Sequence, residues 1–233
     1  MRSSYSYRPR IEALEDRAVP ASISVVAGQL FISNPAGKLE VTIQAGGKVD
    51  VVDNGGSTVT LSGVGTAINI TGSTKADTII LDATNPFAGR VLINAGNGND
   101  TIELKGTIGG NLTVLGGLGN DTTSVTADLT VGGNFVSSDN SGSNDFVLDG
   151  ANASVGGSFS ATGVNDFTID ANKLSVGTGL TVSAVTSGAP LNFTSAAGSQ
   201  LKVGGALTLN GYSGADVVDI AGEVQVGGNT TVN

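Results

Sequence analysis

The chain contains no cysteine, no histidine and no tryptophan. Without cysteine there is no disulfide, no thiolate metal site and no thiol nucleophile. Without histidine, Ser-His-Asp catalysis of the usual kind is excluded too. Charged residues make up 13 % of the sequence and aromatics 4 %, and proline occurs 5 times. No stretch approaches the roughly 18 consecutive apolar residues of a membrane-spanning helix. Disorder is equally excluded, because 39 % hydrophobic residues with so little charge does not keep a chain unfolded. Glycine is what abounds, at 36 of 233 residues.

The few charges are unevenly placed. Residues 1–17 carry Arg2, Arg8, Arg10 and Arg17 against Glu12, Glu15 and Asp16, while residues 18–233 hold 7 basic and 17 acidic side chains. A body this acidic repels nucleic acid and anionic membrane surfaces. Cations are its natural partners.

The dominant pattern is a phrase that recurs eight times, an apolar residue and glycine followed by alternating apolar residues. It reads Val131-Gly132-Gly133-Asn134-Phe135, Val155-Gly156-Gly157-Ser158-Phe159 and Val203-Gly204-Gly205-Ala206-Leu207, with degenerate copies from Val64 onward and a last one at Val226-Gly227-Gly228. Successive copies lie between 20 and 27 residues apart. A second marker keeps step: Asp77, Asp100, Asp121, Asp145, Asp166 and Asp216 follow their glycines by 10 to 13 residues. A period in the low twenties belongs to solenoids. Within a repeat the apolar period is two, in short runs broken by Gly, Asn and Asp, which reads as strands and tight turns. The expectation is an all-β chain folded as a parallel β-helix of about eight coils, right-handed by the crossover rule. The glycines are expected to supply positive φ at the corners. Val, Leu, Ile and Phe should form inward columns, with coils stacked ~4.8 Å apart.

Three segments follow. Residues 1–20 lie outside the repeat pattern. Residues 21–63 are strand-like but off the beat, and are expected to form an N-terminal β cap that shields the first coil. Residues 64–233 are the array, with a loop expected around Ser187–Pro190, where the longest step falls. The array stops at Asn233 short of the next Asp position, so either it continues or another chain is expected to cover its last face.

Residues 8–21, Arg-Pro-Arg-Ile-Glu-Ala-Leu-Glu-Asp-Arg-Ala-Val-Pro-Ala, resemble the Arg-x-Arg…Leu-Glu-Asp-Arg…Pro leader of exported repeat proteins of planctomycete type. The resemblance covers about 14 residues. It implies an extracellular or cell-surface protein whose leader is a targeting segment, although no apolar core of an ordinary signal peptide is present. Gly96-Asn97-Gly98-Asn99-Asp100-Thr101-Ile102 and Gly116-Gly117-Leu118-Gly119-Asn120-Asp121 are similar to the Gly-Gly-x-Gly-x-Asp nonapeptide of RTX-type calcium β-rolls. That likeness implies a Ca²⁺ site drawn from Asp100, Asp121, Asn97, Asn99, Gly98 and Gly119. Gly turns expose carbonyls and Asp adds the hard oxygen that Ca²⁺ prefers. RTX nonapeptides, however, repeat every nine residues, and here the period is near 23. Read from the residues alone, each Asp is a turn residue bonding its own backbone. Asn99, Asn120, Asn144 and Asn165, each preceding an Asp, read as an amide-to-amide ladder along the rod.

Two further classes of function fit the sequence less well. A carbohydrate-active β-helix, suggested by analogy of fold alone, wants clustered Arg or Lys or a carboxylate pair such as Asp145 with Asp166. After residue 17 only Arg90 and scattered Lys are on offer, and regular spacing makes every Asp equivalent, so no catalysis is expected. A Thr array suited to ice, at Thr113, Thr181, Thr208 and Thr231, is interrupted by Val136 and Ser160. The function expected is therefore a structural or adhesive surface module. Its partners would be a cell-surface or matrix polymer or further copies of the same array, with no nucleic acid and no membrane span.

Overall fold

A computed structural model describes residues 21–149, 152–170, 173–184, 190–212 and 214–233. The leader, residues 1–20, and the 185–189 part of the expected loop lie outside them. The described chain is a β-solenoid of about seven turns built from parallel ladders. The eighth glycine phrase is followed by Thr230–Val232, the last strand of the stack.

The first ladder stacks Gln29–Ser33, Ala67–Thr71, Arg90–Asn97, Leu112–Leu118, Phe135–Ser138, Phe159–Thr162, Leu180–Ser183, Leu207–Asn210 and Thr230–Val232. The second stacks Lys38–Gln44, Thr78–Phe87, Thr101–Ile108, Thr122–Val131, Asp145–Asp149, Asp166–Asp170, Asn192–Ser195 and Val217–Ile220. A third begins as the far halves of the three long strands in that series, beyond irregularities between Ala83 and Phe87 and between Val125 and Leu129. It continues as Asn152–Val155, Lys173–Val176, Gln200–Val203 and Glu223–Val226. Chain order therefore runs around the rod, face by face, once per repeat.

Residues 21–63 are partly inside this stack. Gln29–Ser33 pairs in parallel with Ala67–Thr71, and Lys38–Gln44 with Thr78–Asp82. The beat is lost because the antiparallel strands Lys48–Asp53 and Val59–Leu61 are inserted before the next repeat begins. Ser22–Val26 folds back on Gln29–Ser33 through Ala27 and Gly28, both at positive φ (50° and 77°), the backbone a tight two-residue hairpin requires.

Inside the rod, alternation puts every second side chain into a column. One runs Leu30, Ile68, Val91, Leu112, Phe135, Phe159, Leu180, Leu207, all buried. Another runs Ile79, Ile102, Thr123, Phe146, Phe167, Phe193. Phe135 stacks on Phe159 at 4.6 Å between ring centroids, and Phe167 lies between Phe146 and Phe193 at 5.0 and 5.3 Å. Offset and edge contacts of this kind add about 0.5–1.5 kcal/mol per pair beyond area burial.

The glycine of the recurring phrase has a different role from the one its pattern suggests. Gly109, Gly132, Gly156, Gly177, Gly204 and Gly227 are absent from the positive-φ residues. Instead they stack, and a Cβ on Gly132 would strike the carbonyl oxygen of Gly109, with the same collision repeated up the column. Positive φ belongs to the other corner, at Gly96, Gly98, Gly117, Gly119 and Gly142.

Candidate functional site

That second corner contains the Asp residues. Asp77, Asp100 and Asp121 are 2 %, 1 % and 2 % exposed, deep for carboxylates without a cationic partner. They stand one above another and are tied by a single repeated bond. The Asp77 N–H donates to Asp100 Oδ1 (2.7 Å), and the Asp100 N–H to Asp121 Oδ1 (2.9 Å). The Asp121 N–H donates to Asn144 Oδ1 (2.9 Å), and the Asn144 N–H to Asn165 Oδ1 (2.9 Å). Two turns on, the Leu191 N–H donates to Asp216 Oδ1 (2.8 Å). The column is therefore Asp77, Asp100, Asp121, Asn144, Asn165, Leu191, Asp216.

This register differs by one residue from the one the Asp spacing suggests. Asp145 and Asp166 are not in the column; they open the next strands, paired with Thr122 and with each other. Their side chains face outward, and burial together with Asp166 pushes the Asp145 carboxyl upward. Asn144 and Asn165 take the buried place instead, 0 % and 4 % exposed.

A separate outer column bonds with the opposite polarity. The Asn120 N–H donates to Asn99 Oδ1 (3.0 Å) and the Ser143 N–H to Asn120 Oδ1 (2.9 Å). At the far corner Asn134 N–H to Asn111 Oδ1 (3.0 Å) and Ser158 N–H to Asn134 Oδ1 (2.9 Å) repeat that arrangement. The expected ladder thus exists for Asn99 and Asn120, but as side-chain oxygen to backbone N–H rather than amide to amide. Backbone donors at a corner, which no sheet ladder reaches, are satisfied this way.

Of the six residues expected to bind calcium, Asp100 and Asp121 share the buried column. Asn97 and Asn99 are exposed on the outer side of the turn. Gly98 and Gly119 stack on each other, the Gly98 carbonyl directed at the Gly119 Cα. Calcium takes about six to eight oxygens around one point. Asp100 and Asp121 offer carboxylate oxygens on the inner side of the turn, and Asn97 and Asn99 amide oxygens on the outer side.

One acidic residue carries no warning in the repeat pattern. Asp139 occupies the place that Gly116 holds in the turn before, and its Oδ1 accepts the Gly116 N–H (2.8 Å). A Cβ on Gly116 would collide with Asp139 Oδ1 and come within 2.7 Å of Asp121 Oδ2, so glycine makes room for two converging carboxyls. Burial, reinforced by Asp121, pushes Asp139 up to about 7. Burial likewise raises Asp100 to about 6, with Asp121 and Asp77 adding to it against the Asp77 N–H bond, and raises Asp121.

The surface divides by charge. From Leu112–Leu118 to Leu207–Asn210, outward positions on the first ladder are Thr113, Val136, Ser160, Thr181 and Thr208 in one column and Leu115, Ser138, Thr162, Ser183 and Asn210 in the next. None of these is ionisable, while the exposed Arg90 opens an earlier strand of the same ladder. Thr162 donates to Ser138 Oγ (3.0 Å) and the Asn210 amide to Ser183 Oγ (3.0 Å), so neighbouring turns are also stitched on this face. The second ladder instead shows Asp82, Glu103, Lys105, Asp145, Asp149, Asp166 and Asp170 outward. No protein-family model, curated protein or solved structure matches the chain.

Proposed function

We propose that this chain is a structural or adhesive β-solenoid module of an exported, cell-surface protein. The observation that carries the reading is that the outward columns of the first ladder are uncharged from Leu112 to Asn210, on a chain whose net charge is −9. Hydroxyl and amide groups recur there at the inter-strand spacing of ~4.8 Å, a period that suits a regular polymer or another sheet. Only on such a face can an acidic rod approach an acidic matrix or its own copies without repulsion. Export is supported by the likeness of residues 8–21 to the leader of exported repeat proteins. The partner expected is a cell-surface or matrix polymer, or further copies of the array.

The test replaces Thr113, Thr181 and Thr208 together by Glu. These outward positions should leave the melting temperature nearly unchanged while abolishing retention of the rod on intact cells or purified cell-wall matrix. Retention equal to that of the unaltered chain would contradict the reading, as would resistance of an epitope-tagged chain to protease applied to intact cells.

A further inference from the structure

The Asx column poses a chemical question at each buried Asp. Asp100, Asp121, Asn144, Asn165 and Asp216 each use Oδ1 to accept the N–H of the turn before, so the second atom of the head group must find its own partner. In Asn144 that atom is the amide nitrogen, which donates to the carbonyls of Ser141 (3.2 Å) and Gly163 (2.9 Å). In Asp100 and Asp121 the same position is an oxygen, Oδ2, buried with no partner. An acceptor stands where the turn calls for a donor. A carboxylate in that place would leave a full charge uncompensated, at a cost of several kcal/mol.

We infer that Asp100 and Asp121 are carried in the folded rod as carboxylic acids, each O–H standing where Asn144 presents its amide N–H. The column is then a proton-loaded spine that is tightest in acid and loosens as pH rises. The groups facing it argue the same way. Asp77 lies on one side of Asp100 and Asp121 on the other, and Asp139 converges on Asp121 above Gly116. Asp145 stands one position outward. Lys75, in the turn below, is exposed and makes no ion pair among the described residues. Among the described residues no Lys or Arg pairs with these carboxylates.

The upward displacement of Asp100 to about 6, caused first by burial, fixes the sign. A carboxyl whose folded value exceeds its unfolded value of about 3.9 stabilises the fold fully below that value and loses the contribution as pH rises through about 6. Asp139, near 7, extends the loss toward neutrality.

The experiment is thermal melting between pH 4 and pH 8 of the unaltered chain, Asp100→Asn, Asp121→Asn and the double variant, with and without millimolar CaCl₂. The unaltered chain should melt progressively lower above pH 5. Each Asn variant should melt higher than it at pH 8 and show a flatter profile. Asp100→Ala, which loses the ladder bond as well, should melt lower at every pH. Infrared difference spectra of the unaltered chain at pH 5 should carry a protonated-carboxyl band that weakens in the double variant, where Asp139 still contributes. Asn variants that melt lower at pH 8 would overturn the inference. So would a calcium-induced rise in melting that the double variant loses, since that places a cation where the proton is assigned.

Discussion

A single methyl group distinguishes two kinds of glycine in this chain. At Gly119, φ is +138° and a Cβ would strike the carbonyl oxygen of Gly98 in the turn below. At Gly46, φ is +80° but nothing lies within 4 Å of the Cβ position. Gly46→Ala should therefore cost only the left-handed backbone preference, about 1 kcal/mol. Gly119→Ala adds a clash with backbone that cannot move without parting two turns, and should cost about 3 kcal/mol or more. Chemical denaturation of the two variants decides the matter. Equal costs would mean that the turns are not in contact at this corner.

Among the elements, the strands on either side of a glycine phrase have two faces whose assignment can be checked by charge. Val131 is 1 % exposed in a column with Ile108 and Val155, while Thr113 points outward between Leu92 and Val136. Val131→Asp should cost several kcal/mol, since a buried charge has no partner there. Thr113→Asp should change melting little. Comparable losses in both would reverse the assigned faces. These columns were legible in the sequence because period-two alternation and the glycine phrase repeat together. The Asp corner was legible only to within one residue. Asp145 follows its glycine by 13 residues, whereas Asp121 follows its own by 12, and Asn144 holds the equivalent place at 12. Asn is isosteric with a protonated Asp, so the column changes residue type without changing shape, and a reading keyed to Asp slips with it. Asp139 was not legible at all, because its place in the preceding turn is a glycine that leaves no signal except room. The irregularity after Val125 was hidden for a related reason: Thr126, Ala127 and Asp128 carry the strand on through the corner with no Gly or Pro to punctuate it, whereas Pro86 stands within the one after Ala83.

The molecule as a whole is a stack in which each turn is held mainly by its neighbours, as in other linear repeat folds. Parallel ladders fix the height of every residue, the inward columns supply the apolar burial, and three Asx-lined corner columns satisfy backbone donors that the ladders leave. The acidic corner is where the proposed spine answers to pH, and the uncharged Thr and Ser columns are where the proposed module would meet a partner. Both depend on one residue in each turn lying directly over its counterpart in the next. The absence of native cysteine lets that register be tested by introducing two. Thr181 and Thr208, 27 residues apart in sequence, are direct partners in the first ladder. Adjacent parallel strands lie ~4.8 Å apart, within the ~4.4–6.8 Å between Cα atoms that a disulfide spans. Thr181→Cys with Thr208→Cys should cross-link nearly completely under mild oxidation and raise the melting temperature, while Thr181→Cys with Asn210→Cys, a diagonal pair, should cross-link poorly. Preferential cross-linking of the diagonal pair, or none in either, would contradict the stacked register on which the solenoid rests.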